Sequence, residues 1–220
     1  MIDEYHTLAA RSEGYYMDRQ SKFYAYAIPV DSESDASQFL QSIKKEHPKA
    51  RHFCTALRLF PDASLERSND DGEPSGSAGK PILGQIVKHG LTNVFIVVVR
   101  YFGGTKLGVP GLIEAYKTAA ATAIEEGQIV HKKILSMVKI HLSYEQWPGF
   151  TNLIRQQGIP VLHEEFDPHP SLTIGLPKST TNADLVIFLK HYSQHDYATI
   201  AEYANLLHLD IEILNQEEIV

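Results

Sequence analysis

Two glycine-rich polar segments carry the residues whose types and spacing could do chemistry. The first, DDGEPSGSAGKP, runs from Asp70 to Pro81, and the second, RYFGGTKLGVPG, from Arg100 to Gly111. In the second, Gly103 and Gly104 let the backbone turn sharply with its N–H groups outward, and a helix begins at about Pro110. Glycine turns and helix N-termini present oriented N–H dipoles to phosphate or carboxylate. Arg100 and Lys106, with Lys80 near the end of the first segment, would add the counter-charge. Lys80, Arg100, Gly103, Gly104, Lys106 and Gly108 are therefore the candidate anion- or RNA-binding set. Their spacing matches neither GxxxxGK[ST] nor GxGxxG, so nucleotide hydrolysis and dinucleotide binding draw no support. The plainer reading is a tight turn whose glycines only let a helix pack on a strand.

The first segment concentrates the carboxylates Asp70, Asp71 and Glu73. Such a trio could ligate Mg²⁺, do acid/base work, or order Arg100 and Lys80 through charge-assisted hydrogen bonds. The same residues also make a good turn, and the calcium-loop pattern of the EF-hand is absent. Elsewhere the chemistry thins out. His191 and His195 stand four apart in a helical stretch, the spacing of a zinc pair, but no cysteine or HExxH context supports them. His52 lies two residues from Cys54 on a presumed strand, hence on the same face. A nucleophile there would need an exposed thiolate, and a cysteine in an apolar strand reads as core. Tyr15, Tyr16, Phe23, Tyr24 and Tyr26 could stack bases, though aromatic residues also suit a buried hairpin. No catalytic residue, metal ligand or cofactor is expected.

The elements that must position these segments follow from pattern. Val97, Val98 and Val99 belong to NVFIVVVRYF, a β-branched run that reads as a strand buried on both faces. EGYYMDRQ and SKFYAYAIPV read as paired strands, and HFCTALRLF as another. Ser32 is placed to cap a helix through about Lys45, which His47-Pro48 ends. Helices are expected over roughly Lys80–His89 and from Pro110 to about Glu126, the latter closing at Gly127 as its C-cap. From about residue 134 the pattern becomes β-α-β-β-α-β. It comprises strand SMVKIHLSY, a helix ending at Gly158, a hairpin across Asp167-Pro168-His169-Pro170, helical pattern from Asn182 to about Leu207 broken near His195-Asp196, and strand LDIEIL. That is the split βαβ order of ferredoxin-like domains. The fold class is α+β, in two domains, 1–133 and 134–220.

Charge narrows the partners. The net charge of −7 is unevenly placed: residues 1–133 hold 16 Lys+Arg and 16 Asp+Glu, residues 134–220 hold 4 and 11. The second part should be repelled by phosphate backbones, so nucleic-acid contact is confined to local basic groups of the first. A single cysteine excludes an internal disulfide framework and suits a reducing cytosol. No basic-then-apolar leader and no run of membrane-spanning length is found, so a cytoplasmic protein with no membrane contact is expected.

Three collinear blocks, ARHFCTALRL, RSNDDGEPSGSAGKPILGQI and GLTNVFIVVVRYFGGTKLGVPGLIEAYKTAA, resemble the YigZ/IMPACT family, and residues 134–220 fit the more variable second domain of its bacterial branch. The resemblance implies an N-terminal fold like ribosomal small-subunit protein S-five domain two, akin to domain IV of elongation factor G. It implies a C-terminal ferredoxin-like domain similar to that factor's domain V. It further implies regulation of translation; eukaryotic relatives interfere with activation of a starvation-sensing kinase, a partner-binding role not carried over here, and the bacterial branch is thought to bind RNA or ribosomes. Val109-Pro110 stands where many relatives carry smaller residues, and Glu114 where the position is often basic, which weakens phosphate contact on that helix face. The expectation is a non-enzymatic, translation-associated regulator that binds RNA or a ribosomal surface through the two loops, with a protein partner as another option. In it Asp70, Asp71 and Glu73 order the basic groups. The alternative is an enzyme acting on a phosphorylated or carboxylated small molecule, with Asp71 or Glu73 as acid/base or Mg²⁺ ligand.

Overall fold

A computed structural model describes residues 2–166 and 169–219. The chain divides into two compact units, Tyr5–Lys132 and a second made of Met1–Glu4 with Lys133–Val220. The first contains β1 (Glu4–Leu8), β2 (Ser12–Asp18), β3 (Ser21–Pro29), α1 (Glu33–Glu46), β4 (His52–Leu59), β5 (Leu65–Asn69), α2 (Gly79–Lys88), β6 (Val94–Tyr101) and α3 (Gly108–Glu125). Strands β2-β3-β6-β4-β5 form one sheet with β6 at its centre. Alternation along β6 explains its continuous apolar run. Ile96 and Val98 join Phe23, Ala25, Cys54 and Ala56 beneath α2 and α3, while Val97 and Val99 join Phe53 and Leu57 beneath α1. A strand covered on both faces has no polar side to spare, which is why the valines are all fully buried.

Local signals set the element ends. The Ser32 hydroxyl accepts the Asp35 N–H at 3.1 Å and starts α1, and the chain leaves the helix at His47. The β2–β3 hairpin turns through Arg19 and Gln20, both at positive φ, between the register partners Asp18 and Ser21. Two positive φ values in a two-residue loop match the right-handed twist of the flanking strands. One expectation is corrected. Helix α3 ends in right-handed geometry at Glu126, and Gly127 is not a left-handed cap. A Cβ on Gly127 would lie 2.8 Å from Ser12 Oγ and 2.9 Å from Leu8 Cδ2, so close packing is what that glycine serves. Strands β1 and β5 have no counterpart in the sequence reading.

The second unit holds most of β7 (Ile129–His141), then α4 (Trp147–Gln157), β8 (Val161–Glu165), β9 (Ser171–Pro177), α5 (Thr181–Ser193), α6 (Ile200–Leu207) and β10 (Asp210–Ile219). Its strands lie in the order β10-β7-β9-β8 with antiparallel neighbours. Strand β9 thus lies between β7 and β8, the two strands that α4 connects, a split βαβ arrangement. Ile140, Phe150, Ile174, Phe188 and Tyr203 form its core. Gly158 takes φ 66° to end α4. Asp167 and Pro168 of the expected hairpin turn lie outside the described residues. Helix α5 stops at Ser193, so His195 is not on it; its Nδ1 meets the Ser193 carbonyl at 2.7 Å, while His191 Nδ1 meets the Ile187 carbonyl at 2.8 Å. The four-residue spacing therefore makes no metal pair. Among the described residues no helix is long and apolar enough to cross a membrane.

Two glycines test the packing against α3 and within α2. A Cβ on Gly14 would lie 2.5 Å from the Ala123 nitrogen and 2.6 Å from the Ala119 carbonyl oxygen, both backbone atoms, whereas one on Gly84 meets nothing within 4 Å. Gly14→Ala should lower stability by about 1–3 kcal/mol. Gly84→Ala, inside a helix, should raise it by up to about 1 kcal/mol. Urea denaturation of both variants checks the pair of signs.

Candidate functional site

Strand register brings four connections to one end of the first unit's sheet. Strand β4 runs antiparallel to both β5 and β6, so β5 and β6 run the same way, and the loops that follow them leave the sheet together. Strand β3 is antiparallel to β6 with Lys22 opposite Tyr101, which places the Arg19–Gln20 turn at that same end. His52 lies opposite Arg100, so the segment leading into β4 arrives there too. The two glycine loops are thus neighbours because of the sheet, and Arg19, Lys49 and Arg51 join them. Those three cations are exposed, as are Lys80 and Lys106. Sequence reasoning missed Arg19, Lys49 and Arg51, since only the pairing of β3, β4 and β6 reveals that they share an end.

The acidic loop is turned inward, residue by residue. Asp70 Oδ1 accepts the N–H groups of Ala78 at 3.0 Å and Gly79 at 2.8 Å, and its Oδ2 accepts that of Gly76 at 2.8 Å. Helix α2 has no capping side chain at Ala78, so Asp70 does that work from eight residues upstream. Burial pushes the Asp70 carboxyl upward, but the three N–H donors and the charge of Lys80 together outweigh it and leave the group below the usual carboxylate range. Asp71 takes the Phe53 N–H on Oδ2 at 2.7 Å, and its carbonyl meets His52 Nδ1 at 2.9 Å.

Glu73 reaches furthest in. Its Oε1 accepts from Arg100 Nη1 at 2.6 Å and from the Tyr116 hydroxyl at 2.9 Å. The side chains of Arg100 and Glu73 are 7% and 5% exposed. The guanidinium carbon of Arg100 lies 5.6 Å from the Phe23 ring centre and 5.5 Å from that of Phe102. Arg100 is therefore a buried strut rather than a solvent-facing phosphate ligand, because its charge is spent on Glu73. Beside it, Cys54 Sγ donates to the Asp70 carbonyl at 3.0 Å, and burial pushes both its thiol and the Tyr116 phenol up, so both stay protonated near neutrality.

The second loop is shaped by contact as much as by turning. A Cβ on Gly103 would fall 2.1 Å from the Gln20 carbonyl carbon and 2.2 Å from the Ser21 nitrogen, and its own N–H donates to Ser21 Oγ at 3.1 Å. Gly103 is required by the hairpin turn packed against it. Gly104 and Gly108 take φ 87° and 72°, and α3 begins with no capping side chain and no acidic residue in its first turn. No side chain therefore caps its first N–H groups.

Two results test this arrangement. Glu73→Ala strands a buried guanidinium and should cost about 3–5 kcal/mol of stability, while Glu73→Leu combined with Arg100→Met should cost less than the two single changes added together; denaturant titration measures both. Because the native pKa of Asp70 is depressed, its contribution is complete above the ordinary carboxylate range and is lost as pH falls toward the native value. Asp70→Asn should lower the thermal midpoint at neutral pH and flatten its decline on the acid side.

Residues 19–124, which contain both loops, match the family model described as the Impact N-terminal domain. The chain is 31% identical over 183 residues to the IMPACT family member YvyE of Bacillus subtilis (strain 168), covering 83% of this chain and 84% of that protein. It is 34% identical over 161 residues to the IMPACT family member YigZ of Escherichia coli (strain K12), covering 72% and 79%. A crystal structure described as that of an hypothetical protein superposes with TM-score 0.63 at 26% identity, over 98% of this chain and all of that one. Family model and full-length relatives agree on one assignment: the chain belongs to the IMPACT family.

Proposed function

We propose that this protein is a non-enzymatic regulator of translation that binds RNA or a ribosomal surface at the cationic end of its first sheet. The translation half of the reading rests on family membership and on what the family resemblance implies. One observation carries the binding half. Exposed Arg19, Lys49, Arg51, Lys80 and Lys106 gather where four connections meet, while Asp70, Asp71 and Glu73 of the same end face inward onto protein donors. A surface whose acids are internally consumed keeps its net positive face without needing a basic protein. Gly104 and Gly108, exposed and at positive φ, would let a phosphate backbone come close. Arg100 acts here by holding the acidic loop, and the phosphate contacts fall to the lysines and to Arg19 and Arg51.

On the same reading the first domain, 1–133, takes the ribosomal protein S-five domain two fold akin to elongation factor G domain IV. The second, 134–220, is ferredoxin-like, akin to domain V of that factor. The β10-β7-β9-β8 order supports the latter. The enzyme alternative draws less support, since Glu73 Oε1 accepts from Arg100 and Tyr116 and Asp71 Oδ2 from the Phe53 N–H.

The test is salt-dependent binding of single-stranded RNA and of purified ribosomes. Each phosphate contact on a single strand contributes about 0.7 to the slope of log K against log salt. Lys80→Ala with Lys106→Ala should weaken RNA binding and reduce that slope by about 1.4. Unchanged affinity and slope in the double variant would remove the loops from the binding surface.

A further inference from the structure

At the end of β6 the wall of the first unit opens into a pocket of about 360 Å³, lined by Lys49, Arg51, His52, Arg100, Tyr101 and Phe102. No carboxylate is among its lining residues. Lys49 and Arg51 are exposed and have no ion-pair or hydrogen-bond partner among the described residues. His52 shares Nδ1 with the Asp71 carbonyl, which only accepts, so that nitrogen carries the hydrogen and Nε2 is left without a partner among the described residues. Arg100 supplies a second and independent observation. Its side chain is 93% buried, and its Nε donor is buried with no hydrogen-bond acceptor, although Nη1 is held by Glu73. A buried charged donor without an acceptor is a cost that the contact with Glu73 leaves in place at the wall of the pocket.

Size and walls narrow the ligand. A bare phosphate needs far less than the roughly 300 Å³ at which small-molecule sites begin. The additional room is flanked by aromatic rings, and Phe102 is 59% exposed while the Arg100 guanidinium lies against it at 5.5 Å. An exposed ring beside cationic groups is the arrangement that stacks a base and holds its phosphate. We infer that this pocket holds one nucleoside 5′-monophosphate unit, its phosphate on Lys49 and Arg51 and its base on the Phe102 ring. The inference rests on the RNA-binding reading only for the source of that unit, a strand or a free nucleotide.

The experiment titrates the full chain by calorimetry with uridine 5′-monophosphate, with inorganic phosphate, and with oligouridylate of ten nucleotides. The wild-type protein should bind the mononucleotide. Lys49→Ala with Arg51→Ala should weaken it by about ten-fold or more, and Phe102→Ala by a similar factor while leaving weak phosphate binding unchanged. All three positions are exposed, so thermal midpoints should stay near the wild-type value and report that the variants fold. If the same substitutions also weaken oligouridylate, and mononucleotide competes with it, the unit comes from a strand; loss of mononucleotide binding alone assigns a free nucleotide. No mononucleotide binding, or binding that survives all three substitutions, overturns the inference. In that case oligouridylate binding that still falls in the Lys80→Ala, Lys106→Ala protein leaves the RNA reading standing. Mononucleotide binding lost in Lys49→Ala with Arg51→Ala, without any RNA or ribosome binding, does the reverse.

Discussion

The buried ion pair between Arg100 and Glu73 is the constraint on which this end of the molecule depends. It joins the end of the central strand β6 to the middle of the acidic loop, and Tyr116 of α3 adds a third element to the same carboxylate oxygen. Two charges taken out of water repay their desolvation only when geometry is good and further hydrogen bonds complete them. Here the contact is short, a phenol shares the carboxylate, and two aromatic rings flank the guanidinium. One Arg100 donor is nevertheless left over. That residue of unmet bonding separates a purely structural strut from one that forms the back wall of a pocket.

The inward turn of the carboxylates also resolves an apparent conflict in the charges. Residues 1–133 carry equal numbers of basic and acidic side chains, which predicts no general attraction for phosphate. Neutrality of a sum says nothing about its arrangement. Asp70 is spent on the start of α2, Asp71 on the start of β4 and Glu73 on Arg100, so these three acids do not stand free beside Lys80 and Arg100. The field outside is set by side chains left in water.

How much of this was legible in the sequence depends on the range of the signal. Local chemistry read well. Ser32 as a cap, Gly158 as a helix end and the valines of β6 as a doubly covered strand all rest on neighbours within a few residues. Gly127 misled because a glycine after a helix has two uses, turning and close approach, and only the tertiary structure shows Ser12 and Leu8 against it. Arg100 was legible as important but not in its direction, since whether an arginine at a strand end faces water depends on what packs over it. Lys49, Arg51 and Arg19 were invisible as a group because register, set by hydrogen bonds between distant strands, decides which ends coincide. Strand β5 was hidden by its charges: its Glu66 and Arg67 look like loop residues, yet an edge strand with a solvated face tolerates them.

The capping of α2 by Asp70 carries one more consequence. A helix normally draws its cap from the adjoining residue, so its first turn frays and reforms on its own. Here the cap belongs to a loop pinned by Glu73 to β6 and α3, so the first turn of α2 has no independent way to open. Disorder at this edge would require parting elements of the main core, which places the loop in the same cooperative folding unit as the sheet. A loop with that much glycine would ordinarily lose much freedom on meeting a ligand. This one surrenders that freedom during folding, so a partner bound as proposed would meet a surface already ordered.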